Sequence, residues 1–172
     1  MSSASIDLPG AVVWITGLPS AGKSTLAARI AAGLGAIGRA CCTLDGDEVR
    51  RALVPAPGYS PEARDAFYAT LAGLAALLAG QGLVVIVPAT AHRAWYRQDA
   101  RRIAPRFIEV LVDVDADECR QRDAKGLYAA TRSGQATGLP GADVAYERPS
   151  APDVIAQGGH DEGALSAVLA LL

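Results

Sequence analysis

Apolar runs of five or six residues recur along the chain, and each is followed by a stretch whose apolar positions fall three or four apart. Ala11 to Thr16 (AVVWIT) has the unbroken apolar character of a strand covered on both faces, and Lys23 to Leu34 follows with helical spacing. Ala40 to Leu44 predicts a second strand and Asp47 to Leu53 a short helix. Val54 to Tyr59 (VPAPGY) reads as a loop from its prolines and glycine. Ser60-Pro61-Glu62 has an N-cap serine before a first-turn proline, and the helix it opens should run to about Ala79 and stop at Gly80 or Gly82.

Leu83 to Val87 predicts a third strand, Trp95 to Ile103 a helix, Phe107 to Val112 a fourth strand and Ala116 to Arg122 a short helix. Gly126 to Pro152 shows no clear period and is rich in Gly, Pro and Ala, which marks a candidate lid over about 125–152. A short apolar piece at Val154-Ile155 and a helix from Glu162 to Leu172 close the chain. Strands alternating with helices predict an α/β fold with a mostly parallel sheet and helices on both faces.

Composition narrows this picture. At 172 residues the chain reads as a single domain, 1–172, and half its residues are apolar with a fifth charged. A net charge of -2 argues against nucleic acid as a partner. No apolar run is long enough to span a membrane, and MSSASIDLPG lacks the basic-then-apolar order of a secretory signal, so a cytoplasmic location is expected. Cys41, Cys42 and Cys119 form no CxxC pair and are expected to be buried apolar thiols. His92 and His160 have no Cys or His partner at metal spacing, so no structural zinc is expected. Of sixteen basic residues only Lys23 and Lys125 are lysines, which singles both out.

Gly17-Leu18-Pro19-Ser20-Ala21-Gly22-Lys23-Ser24 fits GxxxxGK[ST], between a predicted strand and a predicted helix. There the backbone N–H groups of Gly17 and of Ser20 through Thr25 can close around phosphates. Lys23 can reach the outer phosphates, and the Ser24 hydroxyl can ligate Mg²⁺. ATP and Mg²⁺ are thus the expected donor and cofactor. The third strand supplies no carboxylate for the metal. The DGD turn after the second strand does, through Asp45 and Asp47. These read either as a metal carboxylate and a proton acceptor or as a capped turn. Asp115 reads as a helix cap.

GLPSAGKST, LDGDEVR, GYSPEAR, FIEVLVDVDADECRQRDAKGLY and GADVAYERPSAPDVI, in this order, resemble the adenylylsulfate kinase family from about Val12 to Ile155. The resemblance implies a P-loop NTPase three-layer sandwich with a lid. It also implies transfer of the ATP γ-phosphate to the 3′-hydroxyl of adenosine 5′-phosphosulfate. It makes Asp47 the candidate base, with Lys23 and Asp45 beside it, and Ser24 with Asp45 the metal-side pair. Arg122 and Lys125 would lie near the donor phosphates. Arg50 and Arg64 would hold the acceptor's anionic end, Tyr59 would stack on its base, and Lys125, Gly126, Leu127 and Leu139 would complete the acceptor side. A homodimer is also implied.

The departures from the family pattern fall on the acceptor side. Where the family reads roughly DRxxNIRR the chain has ARDAFYAT, with Phe67 at the Asn position and Ala69 and Thr70 where arginines are expected. Leu139 stands for a stacking aromatic, and PATAHRAW replaces SxxSPYR, with Ala91 near the serine. Losing half of an aromatic sandwich weakens base stacking by about 1–3 kcal/mol. Three functions therefore stay open: this kinase, the same transfer to a different activated nucleotide, and an ATP-binding regulatory module without catalysis. Tyr59 reads as a stacking or a loop-packing residue, Phe67 as a core residue, Arg51 as a solvated one and His160 as a surface one. His92 and Arg93 are candidates to replace the lost acceptor contacts.

Overall fold

The computed structural model describes residues 9–123 and 125–172, so the reading of the first eight residues as no secretory signal lies outside it. Strands β1 (Ala11–Thr16), β2 (Cys41–Thr43), β3 (Val84–Pro88), β4 (Phe107–Val112) and β5 (Val154–Ala156) form one parallel sheet in the order β2-β3-β1-β4-β5. Helices α1 (Lys23–Ala36) and α7 (Glu162–Ala170) cover one face, and α3 (Pro61–Gly80) and α4 (Ala94–Ile103) cover the other. The short helices α2 (Gly46–Ala52), α5 (Ala116–Arg122) and α6 (Leu127–Arg132) lie in the connections.

Strand periodicity explains why the central runs are apolar throughout. In β1, Val13 and Ile15 pack with Leu26, Ile30 and Leu34 of α1, while Val12 and Trp14 pack with Phe67, Leu71 and Ala75 of α3. In β3, Val84 and Ile86 join the first core, and Val85 and Val87 join the second. Each face therefore needs its own apolar set, and a strand alternating with polar residues could not serve here. Leu71 is fully buried, so truncating it to alanine should cost about 2–5 kcal/mol.

The helix starts read from sequence are present as capping contacts. Ser60 Oγ accepts from Ala63 N at 3.2 Å with Pro61 in the first turn, and Asp115 accepts from Asp117 N at 2.8 Å. Two expectations need correction. The stretch read as aperiodic contains α6, whose start is capped from outside: the Asp123 carboxylate accepts from Tyr128 N at 3.0 Å and Ala129 N at 2.9 Å. Six residues are too few to show a period. Of the three thiols, only Cys119 is buried; Cys41 and Cys42 are partly exposed because β2 is an edge strand with one neighbour.

Because β1 sits between β3 and β4, the chain leaves it at the carboxyl edge where connections diverge to either side. Open parallel sheets bind ligands at that point. No helix among the described residues is long and apolar enough to cross a membrane.

Candidate active site

The loop between β1 and α1 is shaped by close backbone approach. A Cβ on Gly17 would lie 2.6 Å from Val112 O, and one on Gly22 would lie 2.7 Å from Gly159 N, with φ of 106° at Gly22. Ser20 takes a left-handed φ of 63°, and Ala21 is fully buried behind the loop. The Lys23 ammonium curls over the loop and donates to Gly17 O at 3.0 Å and Leu18 O at 2.7 Å. Enclosure by the loop lowers its pKa to about 8, although the residue as a whole keeps partial exposure. Ser20, Gly22, Lys23, Ser24 and Thr25 all line a cavity of about 1260 Å³ that runs from this loop to α3. Gly17 and Ala21 shape the loop from behind that lining.

The DGD turn faces the same cavity. Ser24 Oγ donates to Asp45 Oδ2 at 3.0 Å, and Asp45 Oδ1 accepts from Asp47 N at 2.9 Å and Glu48 N at 3.3 Å. Asp45 is thus a cap for α2, as the capped-turn reading expected, and at the same time a neighbour of the P-loop hydroxyl. Asp47 pairs through Oδ2 with the Lys125 ammonium, and that hydrogen bond raises the Lys125 pKa. One hydroxyl and one carboxylate, both hard oxygen donors, fit Mg²⁺, which takes one or two protein ligands and fills its shell with phosphates and water. Arg122 lies against the loop, with Nη1 3.4 Å from Ala21 O and Nη2 paired to Glu118.

On the acceptor side, the arginines are engaged with backbone. Arg50, 8% exposed, donates from Nη1 to Gly58 O at 2.6 Å and Pro57 O at 3.1 Å. Its guanidinium lies 3.9 Å from the Phe67 ring centroid and 4.6 Å from that of Tyr59. Arg64 donates to Tyr59 O at 3.0 Å and Gly138 O at 2.6 Å, so it ties α3 to the candidate lid. Phe67 is core, as its pattern suggested, yet it also reaches the cavity wall. Arg51 and His160 are exposed, and Tyr59 is 65% exposed with one face against Arg50. Leu127 and Leu139 line the cavity. Gly126 does not; with φ of 65° it turns the chain into α6 instead.

Sequence reasoning missed two parts of the site. The turn from Gln157 to Asp161 forms the donor end of the cavity, with Gly159 packed so closely that a Cβ would lie 2.6 Å from Thr25 Cβ. Its paired glycines were the available signal. The other is the anchor of YERPSAPD. Tyr146 OH lies 3.0 Å from Thr16 Oγ1, Glu147 Oε2 accepts from Ala94 N at 2.6 Å, and Arg148 pairs with Asp113. Arg97, almost fully buried, donates to Glu109 Oε1 at 2.8 Å and to Glu147 O at 2.6 Å.

Residues 9–157 match the family model described as adenylylsulphate kinase. The chain belongs to the adenylylsulphate kinase family. It is 42% identical over 147 residues to an adenylyl-sulfate kinase of Paraburkholderia xenovorans, covering 85% of this chain and 82% of that one. It is 40% identical over 146 residues to one of Synechococcus, covering 85% and 83%. Among solved structures, the Mycobacterium tuberculosis APS kinase in complex with AMPPNP and APS superposes with a TM-score of 0.88. That pair shares 36% identity over 95% of this chain and 98% of that one. A hexameric APS kinase from Thiobacillus denitrificans matches over 29% of its own length, with a TM-score of 0.67 and 26% identity. Membership in the adenylylsulphate kinase family makes this chain an ATP-using phosphotransferase with a P-loop NTPase architecture.

Proposed function

We propose that this member of the family transfers the γ-phosphate of ATP to the 3′-hydroxyl of adenosine 5′-phosphosulfate, giving 3′-phosphoadenosine 5′-phosphosulfate. The observation that carries this reading is the contact series Ser24–Asp45 and Asp47–Lys125. It sets Asp45, which would serve the metal, and Asp47, which would serve as base, two residues apart on the wall shared by the P-loop and the arginine-bearing half of the cavity.

The amides of Ser20 to Thr25 would hold the donor phosphates, and Lys23 would leave the Gly17 and Leu18 carbonyls for phosphate oxygens. Ser24 and Asp45 would hold Mg²⁺, which when bound neutralises charge on the phosphate oxygens. Asp47 would take the 3′-hydroxyl proton as the new O–P bond forms and the bond from the γ-phosphorus to the β-phosphate oxygen breaks, releasing ADP. Lys125 would pass from Asp47 to the transferring phosphate. Arg50 and Arg64 would trade backbone carbonyls for the acceptor's anionic end, with Tyr59 against its base. The stretch 126–152 would close as a lid and exclude water; protease cleavage there should slow when both substrates are added.

Transfer to a different activated nucleotide is the second reading. Phe67, stacked under Arg50, and Leu139 favour it by presenting apolar surface where the family resemblance implies Asn and an aromatic ring. A homodimer belongs to the first reading and is tested by sedimentation. Replacing Asp47 by Asn tests the catalytic assignment: turnover should fall about 10²–10⁴-fold while ATP binding persists. Unchanged turnover would refute the base, and a wild type that binds ATP but turns over no acceptor would make the chain a binding module.

A further inference from the structure

Among the described residues, the acceptor half of the cavity contains a buried imidazole whose ring has no hydrogen-bond partner. His92, just past β3, is 4% exposed and lines the cavity. Tyr96 packs edge-on against the ring at 5.5 Å, and the His92 backbone carbonyl accepts from Glu147 N at 2.7 Å, so ring and backbone are each held. The ring nitrogens make no hydrogen bond to the described residues, and the residue lines the cavity.

The charges that face His92 are Arg64 and Asp65 from α3, Arg93 at the start of α4, and Glu147 from the segment after the candidate lid. Both carboxylates are already engaged. Asp65 Oδ1 accepts from Tyr96 OH at 2.6 Å and lies 3.4 Å from Arg93, and Glu147 Oε2 accepts from Ala94 N. Arg93 is offset by Asp65, whereas Arg64 meets only backbone carbonyls and has no carboxylate partner among the described residues, so Arg64 makes an anion the ligand group this end of the cavity favours. Burial, reinforced by these two cations, lowers the His92 pKa to about 4, so at neutral pH the ring carries one donor and one acceptor nitrogen.

Resting on the acceptor reading above, we propose that His92 is a specificity-determining residue that donates a hydrogen bond to the anionic end of the acceptor, beside Arg64. A buried donor in a binding cavity discriminates against ligands that cannot accept its hydrogen bond, because they leave it unpaired. The reading requires a neutral donor, which glutamine can supply and phenylalanine cannot.

The test uses His92→Phe and His92→Gln, each checked for a wild-type melting profile and ATP affinity. Adenosine 5′-phosphosulfate is titrated by calorimetry, and turnover is measured separately. His92→Phe should weaken acceptor binding about tenfold or more and raise its KM in step, with kcat within about threefold and the KM for ATP unchanged. His92→Gln should recover most of that loss. Acceptor affinity within twofold of wild type in His92→Phe, or equal loss in both variants, would overturn the proposal. Wild-type protein that binds adenosine 5′-phosphosulfate without phosphorylating it would refute the reaction assigned above and leave the His92 comparison readable from binding. Wild-type protein that does not bind it would overturn both.

Discussion

Asp45 carries two jobs that a single pair of substitutions can separate. Its Oδ1 caps α2 through Asp47 N and Glu48 N, and its Oδ2 accepts from Ser24 Oγ. Asparagine caps a helix about as well as aspartate, so Asp45→Asn should leave stability within about 0.5 kcal/mol of wild type. Alanine removes the cap, and Asp45→Ala should cost about 1 kcal/mol, or about 2–4 °C in Tm for a chain of this size. Both variants remove the negative charge from the proposed Mg²⁺ position, so both should lose about 10–100-fold in activity at limiting Mg²⁺, a loss partly reversed at high Mg²⁺. Melting curves and a Mg²⁺ titration of ADP formation read the two effects independently. Wild-type activity in Asp45→Asn across the titration would refute the metal-side role. Equal loss of stability in both variants would refute the separation of cap from charge.

Other expectations follow from single contacts. Replacing Arg97 by Met leaves the Glu109 carboxylate buried with, among the described residues, the 3.3 Å contact to Arg101 alone, and should destabilise the fold by about 3 kcal/mol in denaturant titrations. Tyr146→Phe deletes the bond to Thr16 and should cost about 1 kcal/mol with the site otherwise intact. His92 is neutral in the fold down to about pH 4 but takes a proton near pH 6.5 when unfolded. Its contribution to stability is therefore present above pH 6.5 and is lost as pH falls toward 4. The stability difference between wild type and His92→Gln should change across that window and be flat above it.

The donor half was legible because its chemistry is local: nine consecutive residues, Gly17 to Thr25, form the loop, and the apolar runs on either side declare strand and helix. The sheet was legible for a similar reason, since β1 and β3 must satisfy two cores at once and so carry no polar position except at their ends. What sequence could not convey were contacts made across long separations. Lys125 and Asp47 are 78 residues apart, Tyr146 and Thr16 are 130 apart, and no spacing rule joins them. Arg50 illustrates a different limit. Its residue type suggests a free cation, but Pro57 and Gly58 present carbonyls to which it donates. Helix α6 was hidden because its cap, Asp123, stands outside the run it starts.

The most direct test of the central claim is acceptor-dependent ADP formation with Mg²⁺-ATP, comparing adenosine 5′-phosphosulfate with other activated nucleotides and locating the new phosphate by mass and phosphorus NMR. The account predicts preferential turnover of adenosine 5′-phosphosulfate with the phosphate on the 3′-oxygen. Turnover of another nucleotide with silence toward adenosine 5′-phosphosulfate would contradict it.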